Sequence, residues 1–222
     1  MKAAILTAAG KTPVYGEFNE PVAGAGKEII TVRAAALSQF SKSRSTGSHY
    51  SSDGTFPAVA GADGVGRTVD GRRVYFALPE APYGTLAEKS LVRSELCVQI
   101  PEGLDDITAA AIANPGMSAW VALLERAGLK PGETVLVNGA TGTAGRLAVQ
   151  LAKHLGAQKV IATGRNPREL EEVKLLGADV LIPFVMDPLD PLGAKQYEKA
   201  ARSSVTASTS SSTTCGEVAR KP

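Results

Sequence analysis

Three glycines, Gly139, Gly142 and Gly145, stand at i, i+3 and i+6 between two apolar stretches. The first, Val135-Leu-Val, has the composition of a strand; in the second, Leu147, Leu151 and Leu155 recur at helical spacing. A further apolar run, Val160-Ile-Ala-Thr, follows, so the segment reads as strand, loop, helix, strand. Glycines so placed permit a tight turn, close approach of backbone to a pyrophosphate, and close packing of helix on strand. The amides at the start of the following helix, reinforced by its dipole, favour phosphate charge. The chemistry this predicts is dinucleotide binding, with Gly139, Thr141, Gly142, Thr143, Ala144 and Gly145 as contacts; the alternative is an ordinary strand-to-helix turn.

The end of the second strand bears on which dinucleotide. A chain built for NAD usually carries Asp or Glu there for the ribose 2′-hydroxyl. This one offers Thr163-Gly-Arg165-Asn166-Pro-Arg168, with no acid before Glu169. An arginine meets the 2′-phosphate of NADP bidentately, so Arg165 points to NADPH, with NADH as the alternative and a solvated basic turn as the plainer explanation.

The elements that must position these groups follow from pattern and composition. With 222 residues, 44% hydrophobic, the chain is long and apolar enough for a sizeable core in one or two domains. A formal net charge of +2 with scattered Lys and Arg gives no sign of a nucleic-acid or membrane surface. No run approaches the ~20 apolar residues of a spanning helix, and Met1 to Ala9 reads as a first strand rather than a signal peptide. Cys97 and Cys215 form no disulfide framework, which suits a reducing, cytoplasmic setting. Residues 14–18, 28–37, 72–76 and 91–100 are strand-like runs punctuated by Gly and Pro, the spacing of a small barrel. Helices are expected over 107–113 and from 118, broken by Asn114-Pro-Gly116, with Trp120 in the core. Asp63, among glycines, is expected to anchor a turn. Residues 134–183 supply strand, helix, strand, helix, strand. Lys42 and Arg44 form either an anion-attracting or a merely solvated basic loop.

Five segments then carry a family resemblance: Gly61-Ala-Asp63-Gly-Val-Gly66, Asn114-Pro-Gly-Met-Ser118-Ala-Trp, Pro131-Gly-Glu-Thr-Val-Leu-Val, the Gly139 loop, and Leu176-Gly-Ala-Asp179-Val. Together they resemble the medium-chain dehydrogenase/reductases, and more narrowly their zinc-independent quinone oxidoreductase branch, from residue 1 to about 199. The resemblance implies an α/β protein with an all-β-rich part: a GroES-like barrel for catalysis and substrate (1–115), then a partial Rossmann, doubly wound parallel-sheet NADP-binding domain (116–185). It implies direct hydride transfer to a quinone or α,β-unsaturated carbonyl, and the family's homodimer as an open possibility. The zinc-binding branch carries Cys where this chain has Ser38, a His-Glu pair where it has Ala62-Asp63, and a four-cysteine loop absent here, so no metal is expected. Hydrogen-bond donors must then meet the developing oxyanion. Tyr50, in Gly47-Ser-His-Tyr50, resembles the branch's pocket tyrosine despite one extra residue. Ser38 stands where relatives often carry Asn; Asn114 is expected at substrate or cofactor, and Ser118 at the cofactor. The alternative for each is a polar residue satisfied within its loop.

Residues 186–222 depart from the family pattern. Ten of the twelve residues from Ser203 to Thr214 are Ser or Thr, too polar for the buried strand expected there. Under one choice of codons, reading Ser208 to Gly216 one nucleotide back spells Val-Asp-Val-Val-Val-Asp-Tyr-Leu-Trp, which matches the Val-Asp-Val-Val strand the resemblance implies. The expectation is a frameshifted, prematurely ended chain, against a genuine disordered Ser/Thr tail. Two functions therefore stand: an NADPH-dependent reductase of quinones or enones, and a non-catalytic nucleotide-binding fragment.

Overall fold

The computed structural model describes residues 1–47, 49, 54–183 and 198, and the backbone of 218–221. Two compact units divide the chain, Met1–Asn114 and Pro115–Pro222.

The first unit holds β1 (Lys2–Leu6), β2 (Val14–Glu17), β3 (Lys27–Ala35), α1 (Gln39–Ser45), β4 (Ala58–Val59), β5 (Asp63–Arg67), β6 (Arg73–Ala77), β7 (Lys89–Arg93) and β8 (Cys97–Gln99). Five strands form an antiparallel sheet in the order β7-β3-β5-β6-β8, and β2-β1-β4 form a second. Ile30, Val74, Phe76 and Val92 make one core cluster, and Val65, Ile100, Ala109 and Ala110 another. The Gly-x-Gly of the Asp63 segment has a packing cause: a Cβ on Gly66 would meet Ile30 Cγ2 and the Thr31 carbonyl, each at 2.4 Å. The expected single run over 91–100 is two strands, because a 3₁₀ turn at Ser94–Leu96 intervenes, held by the Ser94 amide donating to Gly26 O at 2.9 Å.

Helix α2 (Asp106–Trp120) runs unbroken through Asn114-Pro-Gly116 and continues as a π-helical stretch over Val121–Arg126. The expected break at Pro115 does not occur. A proline ring lacks the amide and crowds the carbonyl four residues back, but that residue, Ala111, is exposed, so its carbonyl can meet water. Trp120 is 44% exposed rather than a core residue. Contrary to expectation, the helical run Asp106–Arg126 is long and apolar enough by length and composition to cross a membrane; Ala109, Ala110, Ala119 and Leu123 on it are buried in the two units' cores.

The second unit continues with β9 (Thr134–Val137), α3 (Thr143–His154), β10 (Lys159–Gly164), α4 (Pro167–Lys174), β11 (Val180–Pro183) and β12 (Val218–Lys221). Strands β11, β10 and β9 pair in parallel, and β12 adds antiparallel to β9. The second unit thus holds a Rossmann-like sheet and the first a GroES-like β part, the mixed α/β class the sequence implies. Alternate residues Val135, Val137, Val160 and Ala162 pack on Ala148, Val149 and Ala152 of α3 and on Leu170 and Val173 of α4. Residues 184–197 and 199–217, with the Ser/Thr-rich segment and Cys215, lie outside the described residues.

Asp63 opens β5 rather than a turn, and it is fully buried. Tyr75 donates to its Oδ2 at 3.0 Å, while Oδ1 has no hydrogen-bond partner among the described residues. Burial pushes the Asp63 carboxyl above its ordinary value, opposed by the Tyr75 bond. The unfolded chain ionises at the ordinary value, so the folded chain binds the extra proton. That contribution to stability is complete below the ordinary carboxylate pKa and is lost as pH rises through the raised one. Asp63→Asn is expected to raise the urea midpoint at pH 7.5 relative to pH 4.5, flattening the profile; a parent-like slope in the variant would remove Asp63 as its source.

Candidate functional site

Four helices begin in the described residues, and three supply their own side-chain cap. Ser38 Oγ accepts from the Ser41 amide at 3.1 Å for α1, and Asp105 Oδ1 from the Thr108 amide at 2.9 Å for α2. Asn166 Oδ1 accepts from the Arg168 amide at 3.1 Å for α4. The hydrogen bonds from Thr108 hold the Asp105 carboxyl below its ordinary value. The exception is α3: its N-cap is Gly142, with no side-chain cap bond and no acid in the first turn. The first amides of a helix have no partner within it, so those of Thr143, Ala144 and Gly145 are left without a side-chain cap.

The three glycines have three different jobs. Gly139 takes φ +72°, the left-handed turn that leads out of β9, and a Cβ there would meet nothing within 4 Å. Gly142 is exposed, and its Cβ would touch only Gly139 O, at 3.7 Å. Gly145 is buried, and a Cβ would lie 2.3 Å from Gly139 O and 2.6 Å from Ala140 Cα. Two glycines therefore leave open a backbone cradle in front of unpaired amides, and the third lets α3 close onto the loop.

Neighbouring elements fix that loop. Thr163, buried at the end of β10, donates to Asn138 Oδ1 at 2.6 Å and accepts from the Gly139 amide at 3.4 Å; its carbonyl accepts from the Ala140 amide at 2.8 Å. Arg146 Nε donates to Thr141 O at 3.0 Å, and Arg146 Nη2 to Glu172 of α4 at 2.8 Å. Sequence reasoning passed over Asn138, Thr163, Arg146 and Glu172 as site residues. The available signal was Thr163, the one hydroxyl in the otherwise apolar run Val160 to Gly164. Thr163→Val keeps shape but removes the hydroxyl. It is expected to weaken adenosine 2′,5′-bisphosphate roughly 3- to 10-fold, about one hydrogen bond, with an unchanged melting temperature and recovery in Thr163→Ser. A fall in stability without a fall in affinity would give Thr163 a structural role only.

Arg165 follows Gly164, whose Cβ would lie 2.7 Å from Thr141 Cγ2, so the arginine leaves β10 beside the loop. Arg165 and Arg168 are exposed, and neither is in an ion pair among the described residues. The loop residues and Arg165 thus share one end of the β9–β10 pair in the second unit. Ser118 lies in that unit on α2, and Asn114 four residues earlier on the same helix; each makes polar contacts. Ser38 lies in the first unit, where its hydroxyl is engaged with Ser41, and it lines a cleft of about 410 Å³. Tyr50 lies outside the described residues. His49 packs edge-on against Phe40 at 4.9 Å and His154 is exposed. No group of three or more His, Cys, Asp or Glu comes together among the described residues. Burial pushes the Cys97 thiol up to about 11, so it is no thiolate nucleophile at neutral pH.

Comparison with known proteins bears on the origin of this loop. The family described as zinc-binding dehydrogenase matches residues 144–213. A quinone oxidoreductase of Thermus thermophilus superposes with a TM-score of 0.76 at 31% identity, covering 89% of this chain and 64% of that one. In sequence and fold the chain resembles the medium-chain dehydrogenase/reductases. Among curated members of this superfamily, a 2-methylene-furan-3-one reductase of Solanum lycopersicum is 34% identical over 184 residues, 75% of this chain and 47% of that protein. An NADPH-dependent alkenal/one oxidoreductase, chloroplastic, of Arabidopsis thaliana is 32% identical over the same length and coverage. The chain spans about half the length of these curated superfamily relatives. The superfamily motifs now have local causes. The Gly-x-Gly after Asp63 packs β5 on β3, and Asp179 of the Leu176 segment accepts from the Val160 amide at 2.6 Å and pairs with Lys153 at 2.7 Å.

Proposed function

We propose that the chain binds NADPH through the Gly139 loop and Arg165 and belongs to a reductase of quinones or α,β-unsaturated carbonyls. The observation that carries this reading is the uncapped N-terminus of α3 standing over an open glycine cradle, while α1, α2 and α4 are capped by their own side chains. The donor set fits the cofactor. The Thr143, Ala144 and Gly145 amides hold the pyrophosphate, and Arg165 holds the 2′-phosphate. The Thr163 and Arg146 contacts keep the loop in that shape before binding. Relatives named as NADPH-dependent alkenal/one and quinone reductases support the same reading.

When bound, NADPH would supply the hydride that reduces the β-carbon of an enone, with the balancing proton taken from solvent at the α-carbon. The protein must orient the acceptor and stabilise the transient oxyanion. Tyr50, Asn114 and Ser38 are the proposed donors, and Ser38 must give up its bond to Ser41 to serve. With neither Cys at 38 nor His at 62, thiolate and imidazole donors are missing from the positions where the zinc-binding branch has them, so a metal-free reaction is proposed.

NADPH oxidation with a panel of quinones and enones tests the reaction, and titration with adenosine 2′,5′-bisphosphate tests the site. Turnover with any acceptor supports the whole reading. Binding without turnover reduces it to a nucleotide-binding role, and absence of both removes it.

A further inference from the structure

The cleft of the first unit carries a charge asymmetry that the loop chemistry does not use. Lys11 and Lys42 both line it, with the hydroxyls of Thr12, Ser38 and Ser45 and an apolar flank at Leu37. Among the described residues no Asp or Glu lines it. The asymmetry is written in the sequence: residues 1–16 and 29–52, which include the segments bearing these six side chains, contain no acid.

The two lysines also differ from the other lysines of the first unit. Lys2, Lys27 and Lys89 pair with Glu17, Glu80 and Glu20. Neither Lys11 nor Lys42 is in an ion pair among the described residues. Two ammonium groups with no ion pair among the described residues, beside the Thr12 hydroxyl, form a receptor for an oxyanion. The Ser38 and Ser45 hydroxyls are engaged with Ser41, and a volume of about 410 Å³ suits a small organic molecule.

We propose that this cleft takes an enone bearing a carboxylate, with Lys11 and Lys42 as the specificity-determining residues that hold the negative group while the apolar flank takes the carbon skeleton. The inference rests on the reductase reading above and narrows its substrate class.

The test uses the full chain, with and without NADPH, and two probes that share one enone: trans-4-oxopent-2-enoate and its neutral methyl ester. Binding is read by ligand-observed NMR and turnover by NADPH oxidation. The carboxylate is expected to bind about tenfold tighter than the ester at low ionic strength, with the preference shrinking as salt is added. Lys11→Gln and Lys42→Gln each reduce that preference, and the double variant removes it, with the melting temperature as the check on folding. Equal binding of acid and ester, or a preference that survives the double substitution, overturns the inference. Equal turnover of the two probes overturns it while leaving the reductase reading standing. Selective carboxylate binding without NADPH oxidation does the reverse. Carboxylate binding that NADPH abolishes assigns the lysines to the cofactor's own phosphates and also overturns the proposal.

Discussion

Gly145→Ala is expected to destabilise the second unit by roughly 1–3 kcal/mol and to abolish NADPH binding. The added methyl would lie 2.3 Å from Gly139 O and 2.6 Å from Ala140 Cα, and both are backbone atoms with no rotamer to retreat into. Either α3 lifts away from β9 or the loop deforms, and each moves the amides from the cradle. Gly142→Ala is the matched control, because its methyl would touch only Gly139 O, at an ordinary 3.7 Å. That variant should keep stability to within about 1 kcal/mol, the cost of alanine at a helix N-cap, while its methyl obstructs the approach of a pyrophosphate. Urea unfolding followed by NADPH titration separates the two. If Gly142→Ala binds NADPH as the parent does, the pyrophosphate does not cross Gly142 and the cradle is misplaced.

Arg165→Leu is expected to weaken NADPH by roughly 10- to 150-fold, the range for hydrogen bonds to a charged group, and to leave NADH almost untouched. The asymmetry follows from chemistry: only NADPH carries the 2′-phosphate, and Arg165 has no carboxylate partner to lose among the described residues. Arg168, three residues on in the first turn of α4, is the competing cation. Titration of parent, Arg165→Leu and Arg168→Leu with both nucleotides assigns the contact. An equal loss for NADPH and NADH at Arg165 would mean that the side chain supports the loop and does not read the phosphate.

Local pattern made much of this legible. The strand, loop and helix around Gly139 could be read because turn, helix period and strand composition all lie within about thirty residues. The antiparallel sheet of the first unit was legible as strands but not as pairings, since β3 joins β5 and β7 across long sequence separations. Pro115 misled because the cost of proline in a helix depends on where the carbonyl of Ala111 points, and no local window contains that exposure. Trp120 misled in the same way: an Ala- and Leu-rich stretch suggests a core position, but the helix turns that ring outward. Asp63 looked like a turn residue because glycines surround it, yet those glycines serve the packing of β5 on β3. Thr163 and Arg146 escaped notice because their partners, Asn138 and Glu172, are 25 and 26 residues away and become neighbours only through the fold.

The glycine N-cap of α3 also bears on how long the protein lasts. A helix without a side-chain cap leaves its first amides short of partners, so nucleotide bound as proposed above would help to keep the second unit folded. At a ligand concentration of a hundred times Kd, the native state gains about 2.7 kcal/mol over the unfolded chain. Proteolysis that proceeds through transient opening slows in proportion to the open population. If the site binds as proposed, the lifetime of this chain in a cell would follow the total supply of NADP(H), oxidised or reduced, because the amides and Arg165 meet only the phosphates that both forms carry.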